Sequence, residues 1–389
     1  MDRKGVCLRS LGVISAVLLL PLGIAGFAAA VPAITAVTAS SAAVTLGRSI
    51  EPPQNSTADK PMLVRAPISV GCRDIDAAPE EIQPTLPDDS PAETTPSSEI
   101  AVLSPPAELI ASEPYPENQD SRDGVIEKLN FGRYTGEQFF DLDGGGQVRN
   151  CSDEYTNSEL LEESRKPPDF SGSITSGEPL VLIYHTHTSE SYEPSDRPFY
   201  DASFASKTTD PSKNVTAVGD RICAELDAAG IPYIHDTLIH DHPSYNDAYD
   251  SSRATVKELL KQYPSIRIAL DIHRDGLQRE DGTRLSPVAE IDSRDAAQIM
   301  IISGCDDGTM GMPEHLKNFR FACALQSELE SSFPGLTRPV LFDYRHYNQD
   351  LTTGSLLIEV GSHGNCLEQA LYAGELVGKG LCSVIQHKD

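Results

Sequence analysis

Leu180-Val-Leu-Ile-Tyr184, followed at once by His185-Thr-His187-Thr-Ser-Glu190, is the stretch on which the reading of this chain turns. Five consecutive apolar residues are too few for a buried helix. They suit a strand covered on both faces, which is what a parallel sheet asks for. The polar run that follows falls at the C-terminal end of that strand, where open α/β sheets carry their active sites.

The same alternation continues downstream. Asn214 caps a predicted helix with Val215, Val218, Ile222 and Leu226 on one face, closed by Gly230. Ile231–His235 reads as a strand, 248–263 as a helix with Val256, Leu259, Leu260 and Tyr263 inward, and Ile266–Ile272 as a strand. A strand over 298–303, a helix over 316–333, strands at 339–342 and 355–360 and a helix from Leu367 complete the pattern. Strands alternating with long helices predict an α/β domain over 179–389, a mostly parallel sheet with helices on both faces.

The 178 residues before it are of another kind. The whole chain has 389 residues and a formal charge of −27, from 58 acidic and 31 basic side chains. That charge is distributed as +2 over 1–47, −16 over 48–178 and −13 over 179–389. So acidic a balance excludes a general nucleic-acid binder, since phosphate backbones recruit Lys and Arg. No charged residue occurs between Ser10 and Gly47, and 11–30 is almost wholly apolar. Such a run is long enough to cross a bilayer, with its basic flank on the cytoplasmic side. We read 1–47 as an uncleaved anchor in the cell membrane. Pro21 and Ala28-Ala29-Ala30 leave a cleaved signal segment as the alternative. In both cases the remainder is extracytoplasmic. Residues 48–120 hold 13 of the 28 prolines and read as a disordered linker; 121–178 read as a partly structured lead-in. No C-x-x-C pair occurs among the eight cysteines, and Cys223, Cys323 and Cys382 read as core residues of helix faces.

Three strand ends concentrate the chemistry: His185-Thr-His187-Thr-Ser-Glu190, Asp271-Ile-His273-Arg274-Asp275 and Ile358-Glu359-Val-Gly361. Imidazoles with one carboxylate and an open fourth position are what catalytic zinc requires, and a further carboxylate must accept a proton from water. Glu359 follows three apolar residues in a strand that should be buried, where an unpaired charge costs several kcal/mol. His185 and His187 stand at i and i+2, so either could be the ligand. Asp271 is placed to orient an imidazole. The other histidines, His235 among them, read as surface, turn or substrate-side residues, and Glu193 and Glu225 as solvated.

The segments VLIYHTHTSESY (181–192), IHDHPSYNDAYDSSRATV (239–256), LDIHRDG (270–276), YNQDL (347–351) and LLIEVGSHGNCLEQAL (356–371) resemble the stage II sporulation protein P family, in order, over roughly 145–389. The resemblance implies an amidase-like fold. It also implies a zinc-dependent N-acetylmuramoyl-L-alanine amidase that strips stem peptides from peptidoglycan during engulfment at the sporulation septum, with a possible endopeptidase activity on cross-links. By position it implies His187, Glu190 and His273 as zinc ligands and Glu359 as the catalytic carboxylate. His185, Arg274, Arg345 and Gln349 would be substrate-side or supporting residues. It implies stage II sporulation proteins D and M as partners at the membrane. His363 departs from the family pattern, which often has Asn there. A wall carboxypeptidase, a deacetylase and a non-enzymatic tether are the competing readings of the same residues.

Overall fold

In the computed structural model, residues 69–70, 73–74, 101–116, 121–170 and 177–387 are described. The chain divides into Met1–Arg48 and Ser49–Asp389, and every described residue belongs to the second unit. The expected anchor and most of the expected linker therefore lie outside the described residues. Among the described residues no helix is long and apolar enough to cross a membrane.

Val181–Tyr184 is a strand, fully buried as its composition demands. In chain order the elements before it are β1 (Ala101–Leu103), α1 (Ala107–Ile110), β2 (Gly124–Leu129), β3 (Phe139–Asp141), β4 (Gln147–Asn150) and α2 (Asn157–Ser164). Val181–Tyr184 is then β5, followed by β6 (Phe199–Tyr200), α3 (Val215–Ala229), β7 (Tyr233–Asp236), α4 (Ala248–Gln262) and β8 (Ile268–Asp275). The last third contributes β9 (Arg284–Ile291), β10 (Arg294–Ala297), β11 (Ile299–Gly304), α5 (His315–Ser332), β12 (Val340–Asp343), β13 (Gly354–Ser362) and α6 (Leu367–Gln386).

A nine-stranded mixed sheet runs β1-β7-β5-β8-β13-β11-β12-β4-β3. Neighbours are parallel from β1 through β13 and again from β11 to β4; the β13–β11 and β4–β3 joints are antiparallel. The side chains of β5 alternate between the two layers of core. Val181 and Ile183 pack with Val215, Val218, Ile222 and Leu226 of α3 and with Leu376, Val377 and Leu381 of α6. Leu182 and Tyr184 pack on the other face with Val256 and Leu259 of α4. Helices thus cover both faces, and the strand reads as a continuous apolar run because neither face meets water.

The ends of α3 follow from capping chemistry. The Asn214 side chain accepts the Thr216 N–H at 2.9 Å, and Gly230 closes the helix at φ 67°. Helix α6 crosses α3 closely through Gly374 and Gly378. A Cβ on Gly374 would stand 2.9 Å from Val218, and one on Gly378 2.8 Å from Glu225.

Two features differ from expectation. Ala101–Leu103, placed in the linker on composition, forms an edge strand paired with Ile234–Asp236. Its short apolar triad covers an edge that would otherwise expose a row of backbone groups. The second difference lies after β8, where the chain forms a β9–β10 hairpin instead of a crossover helix. With β2 and β6 it makes a separate sheet of order β10-β9-β2-β6. Only Gln298 separates β10 from β11, too little chain for the dozen residues that a parallel return needs. Strand β11 runs antiparallel to β13. Gln298 is fully buried and bonds the backbone of Phe131 on both sides and the carbonyl of Gly335, tying the two sheets together.

Candidate functional site

The adjacent strands β5, β8 and β13 end at one edge of the large sheet. His273 and Glu359 are register partners on parallel neighbours, so their side chains leave the same face one strand spacing apart. The chain leaving β5 turns at 185–189 and carries Glu190 back beside β8. There Glu190 Oε2 lies 3.5 Å from His273 Nδ1 and accepts the backbone N–H of Arg274 at 3.1 Å. The His187 ring stands 5.2 Å from the His273 ring, centroid to centroid.

The surroundings of these groups divide their roles. Asp271 Oδ1 stands 2.8 Å from His273 Nε2, so the imidazole is backed by a carboxylate on one side and turns its other nitrogen to Glu190. Asp271 is fixed in turn by the Thr186 N–H at 2.8 Å and the Thr186 hydroxyl at 2.6 Å. Burial would raise the Glu190 carboxyl, but Arg274 and His273 outweigh it and hold Glu190 well below the usual carboxylate range. Burial dominates at His187 and drives its pKa down to about 4, which keeps the ring neutral. At Glu359 burial and then the Asp275 carboxylate act in the same direction, and the group is pushed up to about 8.

A metal ion bound by this set would find suitable donors. Two ligands each ~2.0–2.1 Å from a tetrahedral zinc stand about 3.3–3.4 Å apart, close to the 3.5 Å between Glu190 and His273. His187 Nδ1 is buried with no hydrogen-bond partner, an orphan polar atom beside that pair. The Asp271–His273 arrangement is the carboxylate-backed imidazole that metal sites use to fix ring orientation. Among the described residues, however, no three His, Cys, Asp or Glu side chains are gathered as they stand into a completed cage. The donor chemistry fits zinc, and His187 would be the third ligand.

The remaining expected residues are placed differently. His185 is fully buried and points away, its Nδ1 to the Ile272 carbonyl at 3.1 Å and its Nε2 to His235 Nε2 at 2.9 Å. The i, i+2 rule that made it an equal candidate holds only inside a strand, and β5 stops at Tyr184. Arg274 donates to the carbonyls of Ser191 at 3.2 Å and Ser206 at 3.1 Å and braces Glu190. Gln349 is tied to β11, accepting the Gly304 N–H at 2.9 Å and donating to the Ile302 carbonyl at 3.0 Å, so it faces the fold and not a substrate. Arg345 donates to Asp343 at 3.1 Å and to the Tyr347 hydroxyl at 3.0 Å. His363 is buried and its ring is held neutral by burial and then by the charges of Arg274 and Arg284.

Several expectations of exposure fail: Glu193, His235, His240, His315 and His363 are all buried. Glu193 is buried between Arg284 at 2.9 Å and Arg197 at 2.7 Å, because two guanidiniums supply the charge that water would have supplied. His235 is buried as the partner of His185, with Asp220 3.2 Å from its other nitrogen. The cysteines Cys223, Cys323 and Cys382 are free and buried on α3, α5 and α6, as their helix positions predict.

Sequence reasoning missed the aromatic wall. The Tyr245 ring lies 4.1 Å from the His187 ring, with the Lys207 ammonium 4.1 Å over it. Tyr249 stands 5.4 Å from His187 and lies nearly parallel to His273, 6.5 Å away at 12°. It also stacks on Tyr347, 5.3 Å away at 17°. The pair of tyrosines four apart, Tyr245 just before α4 and Tyr249 in its first turn, was the available signal, masked by the apolar face farther along that helix.

The solved structures that this chain resembles include two amidases. The first is N-acetylmuramoyl-L-alanine amidase AmiC2 of Nostoc punctiforme, 12% identical, covering 55% of this chain and all of that one at a TM-score of 0.32. The second is the CwlD amidase from Clostridioides difficile in complex with the GerS lipoprotein, 13% identical, covering 53% and 96% at a TM-score of 0.34. Among curated proteins, Stage II sporulation protein P of Bacillus subtilis (strain 168) is 32% identical over 206 residues, or 50% of this chain. The match spans about half of that relative's own length, 48%. The family model described as Stage II sporulation protein P matches residues 117–381, which covers the two sheets except the edge strand β1, and the strand ends that carry His187, Glu190, His273 and Glu359. The chain therefore belongs to the stage II sporulation protein P family.

Proposed function

We propose that this chain is a zinc-dependent peptidoglycan hydrolase that cleaves the amide between N-acetylmuramic acid and L-alanine. The observation that carries the reading is the meeting of His187, Glu190, His273 and Glu359 at one sheet edge, with one carboxylate held low and the other held high. His187, Glu190 and His273 would hold the zinc, which supplies Lewis-acid polarisation of the carbonyl and acidification of water. Glu359 takes a proton from the attacking water and returns it to the leaving amine as the C–N bond breaks, a role for which a pKa near neutrality is suited. Asp271 orients His273, Arg274 fixes Glu190, and the aromatic wall of Tyr245 and Tyr249 keeps bulk water from the ligands.

Family membership supports action in wall remodelling and engulfment during sporulation, with an N-terminal anchor holding the catalytic domain outside the cytoplasmic membrane. Stage II sporulation proteins D and M are the proposed partners, and cleavage of peptide cross-links is a proposed second activity. The test is digestion of purified sacculi by the zinc-loaded chain, with mass spectrometry of the products. Free stem peptides are the expected result, and Glu359→Gln should abolish them with zinc retained. Loss of terminal amino acids or of acetate alone would assign the site to a carboxypeptidase or a deacetylase instead.

A further inference from the structure

We propose that Tyr249 is a further catalytic residue, whose hydroxyl donates a hydrogen bond to the scissile carbonyl oxygen as that oxygen gains negative charge. The inference rests on the hydrolytic reading of this site and adds a donor to it.

Tyr249 sits in the first turn of α4, at the same sheet edge as the proposed ligands. Its ring lies 5.4 Å from His187 and 6.5 Å from His273, and burial, then the Asp271 carboxylate, raise its hydroxyl well above the ordinary value, so it keeps its proton. The ring is therefore set against the imidazoles of both proposed ligands. Among the described residues no hydrogen bond joins that hydroxyl to the protein, whereas Tyr192, Tyr200, Tyr233 and Tyr372 each donate theirs to a protein oxygen. A half-buried phenol that is not spent on the fold is available to a ligand.

The backbone beneath it is held rigidly. Asn348 donates to the Tyr249 carbonyl at 3.1 Å and to the Ser252 hydroxyl at 3.2 Å. Arg253 donates to Asn348 at 3.1 Å and to Asp350 at 2.6 Å, locking the 347–351 loop onto α4. Ser252 bonds Thr186 at 2.8 Å, and Thr186 bonds Asp271, which backs His273. One chain of contacts thus fixes Tyr249 and His273 relative to each other. Preorganised donors of this kind stabilise developing charge because they need no reorganisation when the charge appears. It also gives the YNQDL segment a role, that of a clamp on the tyrosine and not a substrate contact.

The remaining chemistry is unchanged. Water oxygen adds to the amide carbon, the C–N bond breaks, and the proton taken by Glu359 goes to the amine; Tyr249 keeps its proton throughout. The test is Tyr249→Phe in the full zinc-loaded chain in detergent, which preserves the ring stacking. Kinetics on N-acetylmuramoyl-L-alanyl-D-isoglutamine should show kcat down about 100-fold with KM within twofold, the usual cost of one such donor. Zinc content should equal wild type. A phosphinate analogue of the scissile amide, titrated calorimetrically, should bind about 100-fold more weakly to the variant. A kcat within twofold of wild type overturns the inference, as does zinc loss or a KM rise that accounts for the defect. If the wild-type chain itself releases no peptide, the hydrolytic reading falls and Tyr249's role falls with it; an active wild type matched by the variant refutes the tyrosine alone.

Discussion

Replacing Glu359 by Gln in the metal-free protein should make the chain more stable at alkaline pH, and the size of the gain follows from the environment of the carboxyl. Glu359 is buried in β13, and burial together with the Asp275 carboxylate lifts it from an ordinary 4.5 to about 8. A group whose pKa is raised on folding binds its proton more tightly in the native state, so its contribution is complete below the unfolded value. It is lost as pH rises through the folded one. A tenfold change in proton affinity is worth about 1.4 kcal/mol, so the ceiling on the loss between pH 4.5 and 8 is on the order of 5 kcal/mol. In the wild type this group should lower stability by up to ~1.4 kcal/mol per pH unit across that window and by nothing further above it. Gln keeps the shape and carries no charge, so its stability curve should lack that slope. Urea unfolding in chelator at half-unit steps from pH 5 to 9, with both proteins in parallel, reads the difference directly. The two curves should separate progressively above pH 5 and run parallel above about 8. Curves parallel over the whole range would show that Glu359 is not a buried acid held neutral, and the case for it as the proton carrier would lose its physical basis.

Asp271→Asn should leave the fold intact and weaken zinc binding by about 10- to 100-fold, measured by competition with a chromophoric chelator, because His273 loses the carboxylate that orients it. Gly219→Ala should lower the melting temperature, with a cost of about 1–3 kcal/mol. Its Cβ would stand 2.6 Å from His235 Nε2 and 2.8 Å from His185 Nε2, inside a buried pair that cannot retreat. Phe319→Ala should cost about 3–5 kcal/mol in denaturant unfolding, since Phe319 is a fully buried side chain packed on Phe342 at 4.8 Å.

How much of this could be read from the chain depended on which physical constraint was at work. Strands β5, β8 and β13 were legible because burial on both faces forces unbroken apolar runs, and their polar ends then stand out. Helix α3 was legible at both ends through Asn214 and Gly230. The small sheet was not, because Arg284–Ile291 carries a proline and alternates irregularly, and its pairing with Gly124–Leu129 is decided by tertiary contact. Glu190, His273 and Glu359 stood out as polar residues at or just after strand ends, and the roles proposed for them came with the family resemblance. The choice between His185 and His187 was not open to the sequence, since it depends on the turn at 185–189 and on the His235 ring waiting behind it. Tyr249 was hidden for a related reason: its neighbours come from β8 and the 347–351 loop, far away in the chain.

The distribution of buried carboxylates gives the strongest physical reason for assigning the roles as proposed. Asp275 meets Arg338 at 2.8 Å, Glu193 meets two arginines, Asp241 accepts the N–H and hydroxyl of Ser189, and Asp271 accepts Thr186 while backing His273. Each of these acids has donors or cations at hydrogen-bonding distance. Glu190 also has such neighbours and is drawn down by Arg274 and His273. Glu359 is moved the other way, and one of the anions responsible, Asp275, is itself fixed by Arg338. A carboxyl held low is a standing anion fit to ligate a cation, while one held near neutrality can exchange a proton at physiological pH. Exchanging the two roles would require the Arg274 clamp to sit at Glu359 and the Asp275 charge at Glu190, whereas Arg274 donates its backbone N–H to Glu190 and the Asp275 charge acts on Glu359.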